Sequence, residues 1–272
     1  MSPQRTEDDR LVEQIYDALD EGNPESALAS ARIALHTAPD DPVLRFLAGI
    51  ALCELELPGE AIPEFSRAID ADPDDPEFRS ARAQALFAIC RFTESRADAE
   101  HALRIDPAQA DALSTLGLAL EREGRYDEAD AKLREAARVD PERYPSPVRL
   151  SRAQFEGVVV RAGMVLPEEF RRCLDEVPVL VEDLPPEAIL TDEAPPLDPE
   201  LLGLFVGTAR NERTFAAPGL EAPARILLFQ RNLERFARDE AELKEEIART
   251  LHHELAHYLG FAEEDMADLD LD

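Results

Sequence analysis

The chain has 272 residues, 44% apolar and 32% charged, which suits two cored domains of about 100 to 200 residues each and is too apolar for an intrinsically disordered chain. Its 59 Asp and Glu against 29 Lys and Arg leave a net charge of -30. The excess splits evenly, with 17 basic and 32 acidic residues up to Leu150 and 12 and 27 beyond it; a surface of that sign repels phosphate backbones and anionic lipid, so no nucleic acid and no membrane surface is expected as a partner. Cys53, Cys90 and Cys173 are odd in number and widely spaced, which argues against a disulfide framework or a cysteine zinc ribbon. The polar start, Met1 to Arg10, and the lack of a run of about 18 apolar residues make a cytoplasmic location the expectation.

The first half repeats. Pro39, Pro73, Pro107 and Pro141 stand 34 residues apart, and alanine lies five residues before each, at Ala34, Ala68, Ala102 and Ala136. A second small position recurs at Ala27, Ala61, Ser95 and Ala129, and a third at Gly49, Ala83 and Gly117, where Ile15 of the first unit departs. Large apolar positions lie between, most clearly Phe65 and Leu133, and Gly22-Asn23, Gly59 and Gly124 mark the helix turns. Small residues at fixed places imply helices that cross closely, each pair burying its apolar face against its neighbours.

This pattern over residues 8–141 resembles a tetratricopeptide array of four units, whose helix-turn-helix repeat is 34 residues long. The resemblance implies a solenoid with a concave face that binds a protein or peptide partner. The register turns Val43, Phe46, Ile50, Gln84, Phe87, Ser114 and Leu118 toward that face. They are apolar or neutral and lack the Lys, Arg and Asn set with which chaperone-binding members of the family hold a terminal carboxylate, so no such clamp is expected.

Residues 142–147, with Tyr144-Pro145-Ser146-Pro147, interrupt the period as a Pro-rich linker, and a second domain is expected over 148–272. Arg149 to Arg161 and Leu166 to Glu176 read as helices. Val177 to Val181, Leu201 to Val206 and Ile226 to Phe229 read as short strands, the last as an edge along which an extended peptide pairs. Glu182 to Glu200, with five prolines, reads as a loop. The fold class expected is mostly α with a small α+β domain.

In the last helix, Asp239 to Leu259, residues Leu243, Ile247, Leu251, Leu255 and Tyr258 recur every three or four positions and define a buried face. His253 and His257 fall about 40° apart on the opposite side, one turn from each other. Two imidazoles so spaced can direct nitrogens to one tetrahedral Zn²⁺, with Glu254 reaching a metal-bound water without ligating. Gly260 supplies the left-handed residue that ends the helix, and Glu263 becomes the third, oxygen ligand, with Glu264 beside it as the alternative. His252 lies off the metal face and Glu246 lies two turns away. Arg210, Arg213 and Arg231 stand near strand ends, where an oxyanion donor would come from.

The run His253-Glu254-Leu255-Ala256-His257-Tyr258-Leu259-Gly260-Phe261-Ala262-Glu263 resembles the HExxHxxGxxE arrangement of zincin metallopeptidases. Leu166-Pro167-Glu168-Glu169-Phe170, the strand runs and this helix, in that order, are similar to a small bacterial family with a minimal zincin fold. The resemblance implies zinc held by His253, His257 and Glu263, with Glu254 as general base. Met266 is expected in the core. The function expected is a zinc-dependent hydrolase, a peptidase whose repeats recruit a protein; the alternative is a non-catalytic interaction scaffold with a structural or regulatory zinc module.

Overall fold

A computed structural model describes residues 3–192, 194–211, 223–262 and 266. The chain divides into two compact units, residues 1–144 with 191–197, and residues 145–190 with 198–272. No helix among the described residues is long and apolar enough to cross a membrane.

Among the described residues the first unit is a row of eight helices: α1 (Pro3–Asp20), α2 (Pro24–Thr37), α3 (Pro42–Glu54), α4 (Pro58–Ala71), α5 (Pro76–Ala88), α6 (Phe92–Ile105), α7 (Ala110–Arg122) and α8 (Tyr126–Val139). The recurrent proline explains where they stop. A residue before proline is forced toward extended backbone, and Ala38, Asp72, Asp106 and Asp140 take φ of -130°, -138°, -124° and -137°. Each of the four closes its helix by donating its backbone N–H to the carbonyl of the recurrent alanine, Ala34, Ala68, Ala102 or Ala136. Asp41 and Asp75 then cap α3 and α5, each followed by a proline whose missing N–H costs nothing in the first turn.

The turns inside the repeats share a conformation that composition hides. Gly22, Glu56, Cys90 and Gly124, again 34 apart, take φ of +67°, +60°, +61° and +72°. Gly59, read from sequence as a turn marker, lies instead inside α4, and Glu56 turns the chain there.

The third small position is explained by its partner. A Cβ on Gly49 would lie 2.4 Å from the Phe65 ring, and one on Gly117 would lie 2.8 Å from Leu133. Where the place holds Ala83, the residue in the partner register is the small Ala99, and both are fully buried. In the same register the first repeat has Ile15 and Ala31, both fully buried in one apolar cluster. The departure at Ile15 is thus an exchange of large and small across one crossing, which keeps the total volume.

Arg82 and Asp98 tie α5 to α6 with a forked pair at 2.6 and 2.8 Å, and Arg82 also reaches the Ser66 hydroxyl of α4 at 3.0 Å. Of the residues expected on the concave face, Val43 is 39% exposed, but Phe87 and Ser114 are buried, and the Phe46 ring meets those of Phe65 and Phe78 at tilted angles. Tyr144, just beyond α8, donates its hydroxyl to the Asp111 carboxylate and meets Gln84. Part of the expected peptide face is therefore used by the chain itself.

The second unit contains α9 (Arg152–Val165), α10 (Glu168–Cys173), β1 (Val179–Glu182), α11 (Glu187–Leu190), β2 (Gly203–Val206), β3 (Arg225–Phe229), α12 (Gln230–Phe236) and α13 (Glu240–Leu259). The sheet runs β1-β3-β2, with β1 parallel and β2 antiparallel to β3. Ile226 to Phe229 therefore form the central strand and not an edge, because four consecutive buried residues need cover on both faces. α9 and α13 supply a core of Phe155, Val158, Leu243, Ile247, Leu251 and Leu255 that continues into Ile226, Leu228 and Met266. Glu234, 1% exposed, gathers the Leu150 N–H, the Gln230 amide and the Arg149 guanidinium at 2.7 to 3.0 Å, so the chain enters this unit through a fully bonded buried carboxylate.

Candidate metal centre

α13 carries the site. Asp239 caps its start by accepting from the Ala241 and Glu242 N–H groups, and Gly260 ends it in the left-handed conformation, φ +94°. The apolar stripe is buried as the periodicity requires, with Leu251, Leu255 and Tyr258 at 1% exposure or less. Tyr258 turns its hydroxyl to Glu176 at 2.8 Å.

His253 and His257 are half-buried on the other side, and their Nε2 atoms stand 3.1 Å apart, with ring centroids at 4.7 Å and planes at 78°. Two ligand nitrogens at 2.0 to 2.1 Å from one tetrahedral zinc are about 3.3 Å apart, so this donor pair fits that ion. Among the described residues no group of three or more His, Cys, Asp or Glu is assembled. Glu263 and Glu264, the expected third ligand and its alternative, lie outside the described residues, as does Arg213.

Glu254 is 6% exposed, and its Oε2 accepts the Phe205 backbone N–H at 2.5 Å. β2 comes this close because of Gly203: a Cβ there would lie 2.6 Å from Thr250 and 3.0 Å from Glu254. Neither Gly203 nor Phe205 was singled out from sequence. A glycine inside an apolar strand run, Leu202-Gly203-Leu204, is the signal for close backbone approach; a backbone donor leaves none.

His252 packs edge-on to Phe170 at 4.1 Å, and burial pushes its imidazole below the usual value, with the Glu169 carboxylate opposing. Glu246 is buried beside Arg249 at 2.7 Å. The segment after β2 wraps the end of α13: the Arg210 N–H donates to the Tyr258 carbonyl at 2.7 Å, its guanidinium lies 3.3 Å from Glu176, and Asn211 covers Gly260. Arg231 donates its backbone N–H to the Asp183 carbonyl.

Comparison with known proteins agrees with both halves. Residues 18–85 and 110–143 match tetratricopeptide repeats, and residues 174–272 match the zincin-like metallopeptidases. No curated protein is similar in sequence. Similar solved structures include MamA from Desulfovibrio magneticus RS-1 (22% identity, TM-score 0.45, 52% of this chain and 78% of that one). YrrB, described as a tetratricopeptide protein with an unusual peptide-binding site, shows 22% identity, TM-score 0.41 and coverage of 46% and 64%. The first tetratricopeptide domain of human RPAP3 shows 20% identity, TM-score 0.41 and coverage of 43% and 92%. The chain thus joins a tetratricopeptide-repeat array to a following domain of the zincin-like metallopeptidase family.

Proposed function

We propose that the second domain is a zinc-dependent peptidase in which His253, His257 and Glu263 hold the metal and Glu254 is the general base. The observation that carries this reading is the pair of Nε2 atoms 3.1 Å apart on one helix face, with a buried carboxylate at the intervening position. Zinc in such a site supplies Lewis acidity and lowers the pKa of a bound water to about 7. In that setting the Glu254 carboxylate would serve as the base, accepting a proton on its free oxygen and handing it to the leaving amine. Its bond to the Phe205 N–H fixes the position of the carboxylate between α13 and β2. β2 is the edge strand beside α13, so an extended peptide pairing along this edge lies near Glu254. The repeats bring the protein substrate or partner, and the solubility that a net charge of -30 confers suits the cytoplasm.

A second reading rests on the same bond. In it Glu254 is a clamp between α13 and β2 in a scaffold whose zinc is structural. Metal analysis and peptide hydrolysis on Glu254→Gln and His257→Ala separate the two. The peptidase reading expects one zinc per chain in wild type and in Glu254→Gln, none in His257→Ala, and hydrolysis reduced ~100- to 10,000-fold in Glu254→Gln. Equal hydrolysis in wild type and Glu254→Gln, with a lowered melting temperature in the variant, selects the scaffold.

A further inference from the structure

Residues 191–197 belong by their contacts to the repeat unit, although the sequence on both sides of them belongs to the other unit. Within this segment Pro196 and Leu197 are half-buried, while Asp192, Ala194 and Pro195 are exposed. The Leu197 carbonyl accepts from the Cys90 thiol at 3.8 Å. Cys90 itself occupies the left-handed turn position of its repeat, at φ +61°, where two of the other three repeats have glycine. A side chain in that conformation costs about 1 to 2 kcal/mol, and at 9% exposure this one is covered. Beside it, at the α5–α6 turn, the half-buried Phe92 ring meets the buried Phe87 ring at 5.1 Å in a tilted arrangement, and Arg122 lies 4.9 Å over the Phe92 ring.

We propose that the α5–α6 turn of the array is a docking site for a short proline-led apolar peptide, and that Ala194 to Leu197 of this chain are its resident occupant. The chemistry of the occupant suits the role. Two consecutive prolines fix φ before binding, so little conformational entropy is lost on docking, and Leu197 presents the apolar side chain that follows them. A tethered segment acts at an effective concentration of about a millimolar. A free partner of the same Pro-Pro-Leu type therefore binds only by displacing it, and this holds whether or not the second domain binds zinc.

The test uses the full chain and a fluorescein-labelled synthetic peptide of residues 188–200, followed by anisotropy. The double variant Pro196→Gly with Leu197→Ser is expected to bind the peptide about tenfold or more tightly than wild type, and the milder Leu197→Ala to fall between. In the same chains the Cys90 thiol is labelled at pH 8 and located by mass spectrometry. It is expected to react about tenfold faster in the double variant and to be protected again by the peptide. Cys53, whose thiol burial pushes up to about 12, and Cys173, raised by burial as well, serve as unreactive references. Equal affinity in the variants and wild type, no binding in any of them, or an unchanged Cys90 rate overturns the proposal.

Discussion

Gly203 sets how closely the sheet approaches the metal helix. Gly203→Ala places a methyl 2.6 Å from Thr250, and overpacking of this kind costs about 1 to 3 kcal/mol; urea unfolding of the full chain measures it, and a change below about 0.5 kcal/mol means the strand can move away. Glu56 gives the opposite sign. It is exposed at φ +60°, so Glu56→Gly is expected to stabilise by about 1 kcal/mol. Glu246 adds a pH dependence. Burial raises its carboxyl above 4.5, with Glu242 adding to the rise and Arg249 opposing it. The folded state therefore favours the protonated form, and stability is lost as pH climbs from the usual Glu value through the raised one. Glu246→Gln should raise the unfolding free energy measured in urea at pH 7.5, by less than about 1 kcal/mol because Arg249 is half-exposed, and the gain should shrink toward pH 5. At this scale the sequence was uneven in what it disclosed. The histidine spacing is written in the residues themselves, whereas the Phe205 donor to Glu254 is a backbone group that any residue supplies.

Among the elements, the α3–α4 crossing is the sharpest case of mutual fit. Gly49→Ala drives a methyl into the Phe65 ring at 2.4 Å and is expected to cost about 1 to 3 kcal/mol. Phe65→Ala alone costs about 3 to 5 kcal/mol. The double variant reproduces the Ala83 and Ala99 pairing already present one repeat later, so a double-mutant cycle should show favourable coupling of at least about 1 kcal/mol; simple additivity would mean that the ring and the glycine are independent. The repeat helices were legible because proline and alanine mark both sides of each stop. The turns were legible only in part, since a left-handed residue that is Glu or Cys carries no compositional sign. The place of β3 went unread for a different reason. Strand order is a property of pairing, yet the unbroken run Ile226-Leu227-Leu228-Phe229 held the clue, for an edge strand seldom buries every residue.

For the whole molecule, the net charge of -30 has one direct consequence. Self-repulsion weakens the compact state at low ionic strength, so the melting temperature should rise on going from 10 mM to 500 mM sodium chloride; a fall would show that specific ion pairs such as Arg82–Asp98 outweigh the general field. The two halves were legible as separate grammars, a 34-residue period and then none. The assignment of residues 191–197 to the repeat unit was not, because nothing in a Pro-rich loop says what it rests on. The paired side chains at Ile15 and Ala31, Gly49 and Phe65, Ala83 and Ala99, and Gly117 and Leu133 reach further than stability. Each pair is contained in one repeat, so the unit of inheritance is the whole repeat. Excising or duplicating 34 residues at a time leaves each of these four crossings with its own partner. Recombination that breaks a repeat between its two helices would set Ile15 against Phe65 or Gly49 against Ala31, leaving a clash in one product and a hole in the other, so such an array can lengthen or shorten by cassettes but cannot be shuffled helix by helix.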